Sequence, residues 1–171
     1  MLRSTVKPRM PRQTLPVGLL WALTLAALAF SVARTHAADD YTKSSHMVPM
    51  RDGTRLATDV YVPTQGTPPF PVLFARGPYG KSGAARAIAP SACRRGYVVV
   101  VQDMRGRFDS EGSDAIAFLN GGWSNRRDGH DSLEWITGQP WCDGNVATWG
   151  GSALGCTQTM LAPHAPESLK A

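Results

Sequence analysis

The chain has 171 residues, with 43% hydrophobic and 18% charged side chains. That balance fits one globular domain and excludes disordered or collagen-like polymers. The net charge of +5 lies wholly in the first 37 residues, which carry Arg3, Lys7, Arg9, Arg12 and Arg34 and no acid. The remaining 13 basic residues match 13 acidic ones, so composition offers no basic face for nucleic acid.

The N-terminus has the order of a secretory signal. A basic segment (1–16) precedes an apolar run (17–33), and small residues follow at Ala37 and Ala38. The expectation is a signal peptide over 1–37, cut after Ala37 or, as the second choice, after Ala38. The alternative is an uncut membrane anchor, although the run is shorter than the roughly 20 residues a spanning helix needs. The segment has no Arg-Arg pair and no cysteine at the cleavage site. Export implies a secreted or periplasmic protein, an oxidising compartment and no stable membrane association after cleavage. The three cysteines, Cys93, Cys142 and Cys156, are an odd number with no metal-ligand spacing. They read as buried structural thiols, and neither a metal nor a cofactor is expected.

Residues 38–45 are polar and read as a loose leader to the domain at 38–171. Asp52-Gly53 between two apolar-leaning runs predicts a hairpin. In the second run Leu56, Thr58, Val60 and Val62 alternate with Ala57, Asp59 and Tyr61, as in a strand with one buried face. Residues 63–69 are turn-rich. The continuous apolar runs 71–75, 97–101 and 146–149 predict strands covered on both faces, as in a parallel sheet. Between them, 84–95 is Ala-rich, contains Pro90 and meets Gly96, a helix stop. Asp131, with Glu134 three residues on, predicts a second helix start. The alternation of strands and helices predicts an α/β fold.

The chemistry concentrates at Trp149-Gly150-Gly151-Ser152-Ala153-Leu154-Gly155. A strand running through glycines to a serine and then a helix is the setting of a nucleophile elbow, where the hydroxyl stands clear of the sheet. Backbone N–H groups at the helix start then face developing negative charge. The pattern departs from G-x-S-x-G, because position 154 is Leu and the second glycine is Gly155. A glycine-rich turn with an incidental serine is the competing reading of the bare motif.

Several motifs in order resemble the CocE/NonD family of cocaine-esterase and X-Pro dipeptidyl-peptidase type serine hydrolases. They are VPMRDGTRLATDVYVP (48–63), PVLFARGPYGK (71–81), RGYVVVVQDMRGRFDSEG (95–112) and DGHDSLEWITGQPWCDGNVATWGGSALG (128–155). The resemblance extends over nearly all of the chain beyond the leader. It implies an α/β-hydrolase fold, incomplete here: a mostly parallel sheet with an N-terminal antiparallel hairpin and without its C-terminal strands. It further implies Ser152 as nucleophile, and an oxyanion hole from the Ala153 N–H and the Tyr79 hydroxyl. Tyr79 as an aromatic lid is the alternative. Such relatives usually carry Tyr after the serine; Ala153 keeps the backbone donor but loses the ring, which loosens the elbow or widens the acyl pocket.

The other candidates are weaker. Arg105, Gly106, Arg107, Asp109, Ser110, Glu111 and Gly112 read as a loop-bracing charge network, with a surface salt-bridge cluster as the alternative. Trp141 reads as packing behind the elbow, with lining of the site as the alternative. His130 and Asp131 are placed near the edge of the site, although they precede the serine, the wrong order for a triad in this fold. After Ser152 come one histidine, His164, and one carboxylate, Glu167. If the intervening segment is helical, His164 lies about 18 Å from the serine, out of hydrogen-bond reach. The expectation is therefore the N-terminal part of a longer hydrolase, inactive alone, with residues 146–149 as a bare apolar sheet edge prone to aggregation. The expected function is hydrolysis of small-molecule ester or amide bonds or short peptides through an acyl-enzyme. The alternative is a non-catalytic fragment. The sequence sets no oligomeric state.

Overall fold

The computed structural model describes residues 40–113, 118–123 and 125–171. The proposed signal peptide lies outside them. Five strands form one sheet: β1 (Tyr41–Pro49), β2 (Arg55–Pro63), β3 (Phe70–Gly77), β4 (Val98–Asp103) and β5 (Cys142–Thr148), in the order β1-β2-β4-β3-β5. Strands β4, β3 and β5 run parallel, and β1 and β2 are antiparallel additions. Helices α1 (Lys81–Cys93), α2 (Asp128–Thr137) and α3 (Ala153–Leu161) follow β3, β4 and β5, the last two with short 3-10 turns at Leu119–Gly121 and Ala162–His164. This is the expected α/β sheet with an N-terminal hairpin.

The hairpin closes at the predicted Asp52-Gly53. Gly53 has φ +82°, and the Asp52 carboxylate accepts the Thr54 N–H at 3.1 Å. Residues 41–45 are not a loose leader, however. β1 pairs with β2 from Tyr41↔Pro63 to Pro49↔Arg55. The strand has no apolar alternation because it is an exposed edge. It is held by its backbone ladder, by Ser45 and Lys43 on the Asp59 carboxylate (2.7 and 2.8 Å), and by Tyr41 edge-on to Tyr61. Strand β2 is buried on both faces from Leu56 to Tyr61 rather than on one, and Val62 is only half-buried. The second face carries Ala57, Asp59 and Tyr61, which β1 and α1 cover.

The four valines of β4 are fully buried and split the core between them. Val98 and Val100 join Phe74, Leu133, Ile136 and Leu161 on one face; Val99 and Val101 join Ile88, Ala89 and Ala92 of α1 on the other. Each such side chain contributes roughly 1.5–3 kcal/mol by leaving water. That two-sided burial makes the run continuous rather than alternating.

Helix α1 starts earlier than the Ala-rich segment, because the Asp103 carboxylate accepts the Lys81 N–H at 2.7 Å. Pro90 sits in its last turn without ending it, and Gly96 at φ +80° closes the exit. Helix α2 starts at Asp128, not at Asp131. The Asp131 carboxylate caps nothing, because Arg51 of the hairpin engages both its oxygens.

Strand β5 is mostly half-buried, with Val146 its one buried residue, and Trp149 lies beyond its end. Its outer edge is not bare. Ser168 accepts the Val146 N–H (2.9 Å), Lys170 donates to the Val146 carbonyl (2.8 Å), and Ala171 accepts the Thr148 N–H (2.6 Å). Residues 168–171 thus begin a parallel partner, with a bridge at Val146↔Leu169.

Candidate active site

Ser152 stands between β5 and α3 with φ 57° and ψ −126°. These angles are those of the first corner of a type II′ turn, a position dominated by glycine. The turn is closed by the Leu154 N–H on the Gly151 carbonyl at 3.2 Å. Holding a serine there stores about 1–3 kcal/mol of strain, which surrounding contacts must over-determine. Helix α3 starts at once, with the Cys156 N–H on the Ser152 carbonyl at 3.0 Å. The serine is exposed, and its hydroxyl has no hydrogen-bond partner among the described residues. The Ala153 N–H likewise has none among them, as the first N–H of a helix lacks an intrahelical acceptor.

The contacts that hold this corner are specific. Gln158 of α3 donates to the Gly150 carbonyl (2.7 Å), and Thr157 donates to the Arg76 carbonyl of β3 (2.7 Å). Leu154, which replaces the second glycine of the usual pattern, lies over Gly77 and Gly150. A Cβ on Gly77 would be 3.0 Å from the Leu154 side chain, and one on Gly150 (φ +127°) only 2.6 Å. Room for close approach therefore comes from Gly150 in the turn and from Gly77 on the neighbouring strand. Gly155 is not needed for it, since a Cβ there meets nothing nearer than 3.7 Å.

Tyr79 follows β3 in the loop 78–80. Because β3 and β5 are adjacent and parallel, this loop and the Ser152 turn emerge at one edge of the sheet. Tyr79 is 63% exposed, and its hydroxyl has no partner among the described residues. Tyr79, Gly150, Gly151 and Leu154 wall one cavity of about 240 Å³. The loop is fixed at its far end by Asp103, which takes both the Lys81 N–H and its ammonium (3.2 Å), and Asp109 takes the same ammonium. Burial pulls the Lys81 pKa down, but these carboxylates outweigh it and hold the group above its usual value. Gly80, at φ +87°, lies against Phe108.

Of the charges after β4, Arg105 anchors a buried network, whereas Asp109 and Glu111 make exposed pairs with Lys81 and Arg55. Arg105 is buried and donates to Asp128 (2.6 and 3.0 Å) and to Asp52 (2.8 and 3.1 Å). Arg76, at the end of β3, meets the same Asp128 at 3.3 Å. The Arg105 hydrogen bonds lower the Asp52 pKa from 3.8 to about 2, and the Asp128 and Asp52 bonds raise that of Arg105. Ser110 donates to the Asp103 carbonyl and accepts the Ala57 N–H, and Glu111 pairs with Arg55. Sequence reasoning found Arg105 but missed Arg76, Asp52 and Asp128. The available signal was an arginine ending the otherwise apolar run 71–75, which demands a buried counter-charge.

The remaining candidates lie elsewhere. Trp141 packs on Trp135, in the cluster around α2. His130 and Asp131 lie beside the Arg51 corner, and neither lines the Tyr79 cavity. Their ligand-type atoms and those of Glu134 come within 4.8 Å of one another, but Arg51 already engages Asp131. His164 stacks edge-on to Trp123 at 4.6 Å, beyond the opposite end of α3 from Ser152. Of the cysteines Cys93 alone is buried, and burial pushes its pKa up to about 11. Cys142 is half-buried and Cys156 exposed, which corrects the expectation of three buried thiols.

Comparison with known proteins gives a consistent picture. The sequence profile of the X-Pro dipeptidyl-peptidase (S15) family matches residues 52–171. A cocaine esterase of Rhodococcus sp. (strain MB1 Bresler) is 44% identical over 133 residues, 75% of this chain and 22% of that protein. A selenomethionine-labelled alpha-amino acid ester hydrolase superposes with TM-score 0.66 at 31% identity, covering 82% of this chain and 26% of the other. An aminopeptidase from a marine sediment Thaumarchaeota archaeon gives TM-score 0.66 at 26% identity, covering 97% and 27%. The chain thus spans about a quarter of the length of these relatives.

Proposed function

Because the chain belongs to the X-Pro dipeptidyl-peptidase (S15) family, we propose that it supplies the nucleophile and oxyanion hole of a serine hydrolase acting on ester or amide bonds. The observation that carries this reading is the strained turn: a serine in a glycine-type conformation at a strand–helix junction, on the same sheet edge as Tyr79. Strain of this kind, braced by Gln158, Thr157 and Leu154, is expected where a side chain must be held out for chemistry.

In the reaction the Ser152 hydroxyl attacks the acyl carbon and its proton leaves to a base. The carbonyl oxygen, now negative, is held by the Ala153 N–H and the Tyr79 hydroxyl, both without other partners among the described residues. Donors preset in this way act without reorganising. Loss of the alcohol or amine leaves an acyl-serine, which water hydrolyses.

No described residue hydrogen-bonds to the Ser152 hydroxyl, and His164 stacks on Trp123 instead. None of the described residues is placed to take the proton, so in this reading it passes to solvent and acylation is slow. An oxyanion hole and binding without a working triad still leave about 10³–10⁴-fold over water. Residues 1–37 direct export, in this reading, on the strength of their basic, apolar and small-residue order.

A fluorophosphonate probe with peptide mapping tests the proposal. Label on Ser152, lost in Ser152→Ala and in the urea-unfolded chain, is the expected result. Label spread over other serines, or undiminished in Ser152→Ala, contradicts it. A non-catalytic fragment shows no label in the folded chain above the unfolded background.

A further inference from the structure

The cavity beside the elbow has a composition that selects its ligand. It is bounded by Gly77 at the end of β3 and Tyr79 beyond it, by Gly83, Ala84 and Ala87 on α1, and by Leu154 on α3. The polar side chains on its wall are committed elsewhere. The Lys81 ammonium is held by Asp103 and Asp109. The Gln102 amide donates to Thr58 (3.0 Å) and accepts from Ser132 (2.9 Å), both away from the cavity. The Tyr79 hydroxyl and the Trp149 indole N–H are left as the uncommitted polar side-chain groups on the described wall, and neither carries a charge.

From this wall we infer that the cavity is an acyl pocket for a neutral, apolar acyl group, and that it rejects acyl groups carrying a free α-ammonium. The inference rests on the serine-hydrolase reading for its orientation: an acyl carbon on Ser152, with its oxygen at Tyr79, projects its chain along Gly150 and Gly151 into this space. The size follows from the volume. A cavity of about 150 Å³ lined by apolar side chains holds a benzene ring, and this one measures about 240 Å³. A phenyl or medium-length alkyl chain therefore fits. An ammonium placed there loses its hydration and meets no counter-charge, since the carboxylates of Asp103 and Asp109 are already paired with Lys81. The small residues of α1 set the capacity: a Cβ on Gly83 meets nothing within 4 Å, so the position is open.

Two ligands of equal chain length separate the possibilities: hexanoic acid N-methylamide and norleucine N-methylamide, which adds only the α-ammonium. Each is titrated into the ¹⁵N-labelled 171-residue chain while the Trp149 indole and Gly83 amide signals are followed. Saturable shifts with the hexanoyl amide are expected, with binding of the norleucine amide weaker by at least about tenfold. Gly83→Leu, which also favours helix, abolishes hexanoyl binding. Ala87→Leu, at an exposed helical position, repeats the test if Gly83→Leu does not fold. Equal or tighter binding of the norleucine amide, non-saturating shifts, or binding unchanged in the filled variants overturns the pocket. Phosphonate labelling of Ser152 separates the two claims. Labelling without hexanoyl binding defeats the pocket alone, and hexanoyl binding without labelling defeats the hydrolase reading alone.

Discussion

Substituting Gly77 by Ala tests how the elbow obtains its space. A methyl there lies 3.0 Å from both Cγ and Cδ1 of Leu154. Gly77 has no positive φ, so the substitution adds volume without backbone strain. Overpacking of this kind costs about 1–3 kcal/mol. Leu154→Ala alone removes a half-buried side chain, and about 1–2 kcal/mol is expected, below the range for fully buried leucines. In the double variant the new methyl occupies volume that Leu154 has vacated. Its destabilisation should thus stay near that of Leu154→Ala, a coupling of about 1–2 kcal/mol. Urea unfolding followed by far-UV circular dichroism measures all four proteins, provided the dependence on denaturant is unchanged. Because Gly77 leads into Pro78 and Tyr79, the phosphonate labelling rate should fall in Gly77→Ala and recover in the double variant. Costs that add within about 0.5 kcal/mol refute the reasoning, since independent sites behave that way.

Tyr79→Phe should leave stability unchanged, because the hydroxyl has no partner to lose among the described residues, and should slow Ser152 labelling by about 10²–10³-fold, as removal of one oxyanion donor does; equal labelling rates count against the assignment. Asp128→Ala strips the fully buried carboxylate from Arg105 and Arg76, and should destabilise by about 3–5 kcal/mol in urea unfolding, the cost of leaving buried charge uncompensated. The Asp52 carboxyl is depressed from 3.8 to about 2 in the folded chain. Its contribution is therefore complete above pH 3.8 and is lost as pH falls towards 2. The stability difference between wild type and Asp52→Asn should shrink over that window. Its size stays at or below about 1 kcal/mol because solvent screens a group one-third exposed.

Features carried by local chemistry were legible in the chain. Asp52-Gly53 marks a turn by itself, and four consecutive valines mark a strand covered on both faces. Gly150-Gly151-Ser152 at the end of an apolar run marks the elbow. Features carried by distant partners were not. Tyr41 to Met47 pair through the backbone, polar contacts and the Tyr41–Tyr61 ring pair, which leave no hydrophobic period to detect. Asp131 has the position of a helix cap, but its carboxylate belongs to Arg51, 80 residues away in sequence. Leu154 breaks the usual small-residue pattern, and only the sheet order shows that Gly77 makes room for it. The network of Arg76, Arg105, Asp52 and Asp128 joins four separate segments, so no single motif reveals it. The edge of β5 was misjudged because its cover at 168–171 returns after a full helix.

The pH dependence of Ser152 phosphonylation in the folded chain tests the central claim most directly. Site-selective label whose rate exceeds that of the unfolded chain by about 10³-fold, and rises with hydroxide without levelling near the imidazole range around pH 6.5, is the predicted result. It is what an oxyanion hole gives without a hydrogen-bonded base. A rate equal to that of the unfolded chain contradicts the site. A plateau governed by a group titrating near pH 6.5 contradicts the placement of every described histidine away from Ser152.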